Sequence, residues 1–171
     1  MRRFAALIVL LLALAVPAAA WALTQSPGDG TLVVKNGTGP RGTPVVILVI
    51  TGAAIGHVSA LGTIVIEDLN PNDANTPEVT GAAYRKDVSG TSGTVTKWGG
   101  VDFRFRAVGA YRITIYGSDV DLSAVGHGYV WLTGLSDPTT GDGVYSLNGA
   151  TFRSLPATTL VKAPIGAPSS G

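Results

Sequence analysis

Phe103-Arg104-Phe105-Arg106-Ala107-Val108-Gly109-Ala110-Tyr111-Arg112-Ile113-Thr114-Ile115-Tyr116-Gly117 is the stretch that decides the fold. Phe103, Phe105 and Ala107 alternate with Arg104 and Arg106 up to Val108-Gly109, and beyond it Tyr111, Ile113 and Ile115 alternate with Arg112 and Thr114. A period of two belongs to an extended chain that sends successive side chains to opposite faces. With Val108-Gly109 read as a turn, the stretch predicts a half-buried hairpin of strands 101–107 and 110–116. Its aromatic and branched residues would lie on one face and its arginines on the other.

The same pattern extends in both directions. Short alternating runs rich in Val, Ile and Thr, bounded by Gly, Asn, Asp and Pro, predict further strands at 31–35, 45–51, 54–58, 63–67, 119–122, 128–133, 143–147 and 150–153. No segment sustains a helical period. Tyr145-Ser146-Leu147 and Ala150-Thr151-Phe152 flank Asn148-Gly149, the pair best suited to the two positive-φ positions of a tight antiparallel turn. The expected fold is therefore all-β, an antiparallel sandwich or flattened barrel of about eight to ten short strands, with a short β-helix as the alternative.

A weak internal repeat about 65 residues apart aligns Ile50-Thr51-Gly52 and Ser59-Ala60-Leu61-Gly62 with Ile115-Tyr116-Gly117 and Ser123-Ala124-Val125-Gly126, and suggests a duplicated four-strand unit. Residues 69–99, opening Leu69-Asn70-Pro71-Asn72-Asp73, read as a long surface connection with Thr94 to Trp98 as an edge strand. The tail 160–171, with Ala163-Pro164 and Ala167-Pro168-Ser169-Ser170, is expected to be disordered.

The N-terminus points to export. Arg2 and Arg3 precede an apolar run from Phe4 to Val16, Pro17 breaks it, and Ala20-Trp21-Ala22 offers small residues at the two positions a signal peptidase requires. The expected organisation is a signal peptide at 1–22, one β domain at 23–159 and the tail. Phe4 to Val16 is shorter than the roughly 18 apolar residues of a stable transmembrane helix, so no membrane span is expected after cleavage. The chain has 12 Lys and Arg against 11 Asp and Glu. Two of the arginines leave with the signal, and a near-neutral domain offers nucleic acid no electrostatic footing. The absence of cysteine excludes disulfides, thiolate metal sites and a cysteine nucleophile.

Candidate sites are few. Asp68, Asn70, Asn72 and Asp73 space oxygens as a calcium loop does, yet Asp73 stands where that motif needs glycine, so turn formation accounts for the residues better. Without calcium there no cofactor is expected. Arg104, Arg106 and Arg112 on one hairpin face form either an oxyanion site or a solvated outer surface. Tyr129 and Trp131, alternating on one strand and joined by Trp98, form either a platform for sugar rings or core. No nucleophile elbow is present, and His57 and His127, the only histidines, do not form a metalloprotease pair.

Phe103-Arg104-Phe105-Arg106, Gly109, Tyr111-Arg112, Gly117 and Leu122-Ser123-Ala124-Val125-Gly126 resemble a pattern found in a group of bacterial secreted β-rich proteins with no assigned activity. The resemblance implies an exported β fold and transfers no functional residue; His127 and Tyr129 depart from it. The functional expectation is an exported, non-enzymatic envelope or extracellular protein, structural or binding, with a glycan or a protein as partner. A carbohydrate-binding module and a secreted hydrolase are the alternatives.

Overall fold

A computed structural model describes residues 26–89, 94–135 and 142–166; the expected signal peptide at 1–22 lies outside them. Eleven strands, β1 (Gly30–Gly37), β2 (Val46–Val58), β3 (Gly62–Asp68), β4 (Glu78–Thr80), β5 (Tyr84–Ser89), β6 (Thr94–Gly100), β7 (Phe103–Gly117), β8 (Val120–Leu132), β9 (Val144–Leu147), β10 (Arg153–Ser154) and β11 (Val161–Ile165), form one antiparallel sheet. There is no helix among the described residues. The expected all-β antiparallel class is found, and antiparallel pairing throughout the ladder excludes the β-helix, which needs parallel rungs. The sheet is not closed into a barrel, because its path ends at β10 and β5.

The expected hairpin at Val108-Gly109 is not formed: 103–117 is one fifteen-residue strand. Likewise 45–51 and 54–58 merge into β2, and 119–122 and 128–133 merge into β8. These three long strands lie side by side as β8-β2-β7. Each keeps one parity of residues buried from end to end: Val46, Leu48, Ile50, Ala54 and Val58 on β2, Phe103, Phe105, Ala107, Tyr111, Ile113 and Ile115 on β7, and Val120, Leu122, Ala124, Val130 and Leu132 on β8.

Midway along them the inward position is glycine in every strand. Gly109, Gly52, Gly126 and Gly30 are paired in register across β7, β2, β8 and β1. Gly52, Gly126 and Gly109 have φ of 155°, 149° and 137°. A side chain at Gly52 would run into the Val125 carbonyl, and one at Gly126 into that of Thr51. Strand partners change at the same level. β8 pairs with β1 over 120–126 and with β11 over 128–132. β7 pairs with β4 over 104–106 and with β3 over 111–117.

The glycine row thus divides the sheet into two halves that share the long strands. The first half-sheet runs β10-β9-β1-β8-β2-β7-β4, and the second runs β11-β8-β2-β7-β3-β6-β5. With no helix among the described residues to cover it, a sheet with one face buried throughout folds that face on itself; glycine at the corner permits the close backbone approach. One core cluster results, holding Phe103, Phe105 and Leu122 from the first half with Ile64, Ile66, Ile113, Ile115 and Leu132 from the second.

Residues 69–99 are not a bare connection: they contain β4, β5 and β6, and β5 rather than β6 is the sheet's edge. Exposed Arg85, Lys86 and Asp87 on that edge discourage pairing with another chain. Within the tail expected to be disordered, 161–165 is instead β11, lying along β8 with Ile165 1% exposed, and 167–171 lie outside the described residues. Asn148-Gly149 makes the expected turn, with φ of 51° and 74°. The Asn148 side chain also ties in β11, donating to the Pro164 carbonyl at 3.3 Å and accepting from the Gly166 N–H at 3.1 Å. The two members of the proposed repeat occupy different places. Ser59-Ala60-Leu61-Gly62 spans the β2–β3 turn, whereas Ser123-Ala124-Val125-Gly126 lies within β8.

Candidate functional site

Two outer surfaces carry groups able to bind something, one on each half-sheet. On the second, Tyr129 and Trp131 project outward from β8, because the uninterrupted inward parity of that strand belongs to Val130 and Leu132. Tyr129 is 45% exposed and Trp131 half-buried. Lys162, opposite Trp131 on β11, places its ammonium 4.2 Å from the Tyr129 ring centre and 5.1 Å from that of Trp131. Such contacts contribute about 0.5–1 kcal/mol at exposed sites and hold the rings in place. On β2 and β3 the outward neighbours are half-buried Ile47, Val49 and Val65, with Thr114 between them on β7. The result is a flat, partly apolar face with aromatic rings at one side.

Trp98 does not join them. It faces inward on β6 beside Ile64, 7% exposed, with the Arg85 guanidinium 5.9 Å from its ring centre. The platform is therefore two rings rather than three.

The three arginines are likewise divided. All are exposed on the outer side of β7, but the glycine corner separates Arg104 and Arg106 on the first half-sheet from Arg112 on the second. Arg112 donates to Glu67 at 2.8 Å. A tight hairpin would have brought the three together; a continuous strand spreads them along its length.

On the first half-sheet, His57 stands between Asp121 of β8 and Arg104 of β7 in register. Its Nε2 lies 2.6 Å from Oδ1 of Asp102, in the β6–β7 turn, and its Nδ1 lies 3.4 Å from the Ser59 hydroxyl. The hydrogen bond with His57 is the main influence holding the Asp102 carboxyl below its usual value, with smaller help from the charges of His57 and Arg104. Asp102 lies 45 residues from His57 in sequence, and nothing in the chain's local pattern pairs them. Serine, histidine and aspartate in a line resemble a hydrolytic triad, but the Ser59 contact is long and the Asp102 side chain is 73% exposed. His127 lies apart, 3.5 Å from Asp29.

The Asp68–Asp73 segment spends its oxygens on its own backbone. Asp68 accepts from the Asn70 N–H at 2.8 Å and Asp73 from the Asn75 N–H at 2.9 Å, while the Asn70 amide donates to Asp73 at 3.2 Å. Asn72 is exposed in the same turn. No group of three His, Cys, Asp or Glu able to hold a metal occurs among the described residues. No helix among them is long and apolar enough to cross a membrane. Comparison with protein-family models, curated proteins and solved structures finds no match.

Proposed function

We propose that the protein is exported and acts outside the cytoplasmic membrane as a non-catalytic binding protein that docks a carbohydrate on the outer face of the second half-sheet. The observation that carries this reading is the pair Tyr129 and Trp131, set at alternate outward positions of one strand and steadied by Lys162. Adjacent rings on a flat sheet suit the apolar faces of successive sugar units, and Lys162 and Thr114 supply hydrogen-bonding groups beside them. The basic start, apolar run and Ala20-Trp21-Ala22 site support export.

A glycan array probed with the protein and with Tyr129→Ala and Trp131→Ala tests the reading. Binding to a polysaccharide class that falls about tenfold or more in either variant is expected, the loss of one stacked ring being worth more than about 1 kcal/mol. Absence of glycan binding, or binding indifferent to both substitutions, would contradict it. The Ser59–His57–Asp102 line favours a hydrolase as the second reading. Covalent labelling by a fluorophosphonate that disappears in Ser59→Ala would establish that reading instead.

A further inference from the structure

The outer face of the first half-sheet carries a trough that the glycan reading does not use. It crosses β1, β8, β2 and β7 and has a volume of about 570 Å³, within the range of about 300–1,000 Å³ usual for small-molecule sites. Its floor is the backbone row Val34, Leu122, Gly56 and Phe105, whose side chains, where present, go into the core. Gly56 keeps the floor low, since its missing side chain leaves room for the Phe105 ring packed beneath it. One bank is mainly apolar, with Val33 and Ile55 flanking Ser123. The opposite bank is polar and holds Lys35, Asn36, Asp121, His57 and Arg104.

The charges on that bank differ in how far they are already engaged. His57 is held by Asp102 and Ser59. Asp121 accepts the Asn36 backbone N–H at 3.0 Å, and the Lys35 ammonium sits 5.0 Å from the Phe152 ring centre. Arg104 makes no hydrogen bond or ion pair with a described residue; Asp102, the nearby carboxylate, is committed to His57. A guanidinium with five donors to spend, at one end of a trough with an apolar bank, complements a molecule with one anionic group and an apolar body. Three strand spacings make the trough about 14 Å long, the reach of a medium-length chain or a pair of rings.

We propose that this trough binds a small amphipathic anion, its acid group on Arg104 beside His57 and its apolar body along Val33 and Ile55, with the midway Asp121 accepting from any hydroxyl the ligand carries. The site lies on the other half-sheet from Tyr129 and Trp131, beyond the glycine row, and shares no residue with the glycan platform, so it stands or falls independently of it.

Titration of the isotopically labelled protein with octanoate, octanol and inorganic phosphate, followed by amide chemical shifts, tests it. Octanoate is expected to shift the amides of Val33, Ile55, Ser123 and Arg104 saturably and to bind about tenfold or more tighter than octanol or phosphate, as a charge-assisted hydrogen bond to a guanidinium allows. Arg104→Gln is expected to bring octanoate down to the affinity of octanol. Ser123→Phe, which fills the trough without touching the charge, is expected to abolish both. Equal binding of octanoate and octanol to the unaltered protein, phosphate matching octanoate, shifts confined to other surfaces, or an Arg104→Gln variant that still prefers octanoate would each overturn the proposal.

Discussion

Gly126→Ala attacks the corner on which both outer surfaces depend. Gly126 has φ of 149°, and an added Cβ would meet the Thr51 carbonyl oxygen and come within 2.9 Å of the Gly52 Cα. Both are backbone atoms of a central strand, so no side-chain rotation relieves the clash. Strain at an unfavourable φ costs about 1–3 kcal/mol and overpacking about 1–3 kcal/mol, offset by about 0.4–1 kcal/mol of lost unfolded-chain freedom. The net loss is roughly 1–5.5 kcal/mol, a large part of the 5–15 kcal/mol that holds a domain of this size together. Gly42→Ala supplies the control, because Gly42 also has positive φ, 81°, but nothing within 4 Å of an added Cβ. Its loss is expected to stay at about 1–2 kcal/mol. Urea unfolding monitored by circular dichroism measures both. If Gly126→Ala loses no more stability than Gly42→Ala, the close backbone approach at the corner is wrong.

Tyr111→Phe is expected to lose about 0.5–1.5 kcal/mol at neutral pH, because the buried hydroxyl donates to the Asn75 carbonyl at 3.0 Å and pins the 69–77 loop. Burial first, then the charges of Asp68 and Asp73, hold the Tyr111 pKa above its ordinary 10.0. Its contribution is therefore complete below pH 10 and is lost as pH rises through the folded value; alkaline unfolding curves should show that loss shrinking in Tyr111→Phe. Asn148→Ala removes two hydrogen bonds that hold β11 and leaves alanine at a positive φ that asparagine adopts more readily. Amide exchange in 161–165 is expected to speed up at least about tenfold while the centre of β2 is unaffected, each net hydrogen bond being worth about 1 kcal/mol.

Much of this was legible in the chain, including one feature a turn-based reading passes over. A two-residue turn pairs residues three apart, so a hairpin at Val108-Gly109 would set Ala107 against Ala110 and Phe105 against Arg112. That mixes apolar residues with charge on one face. The odd parity that runs unbroken from Phe103 to Ile115 instead requires a continuous strand, and the even parity from Val46 to Val58 and from Val120 to Leu132 requires the same. Glycine's turn propensity hid this; here glycine serves close backbone approach. The same parity shows that Tyr129 and Trp131 point outward. Contacts between distant segments left no such trace. The pairing of β8 with β11, which brings Lys162 over the two rings, and the meeting of His57 with Asp102 arise from packing rather than from local pattern.

Nuclear Overhauser contacts of Gly52 test the continuous-strand corner most directly. Cross-strand contacts from Gly52 to Gly109 on one side and to Gly126 on the other are expected, as the register places them. Contacts between Ala107 and Ala110, with none from Gly52 to Gly109, would mean that the chain turns back at Val108-Gly109, and would remove the corner together with both surfaces it supports.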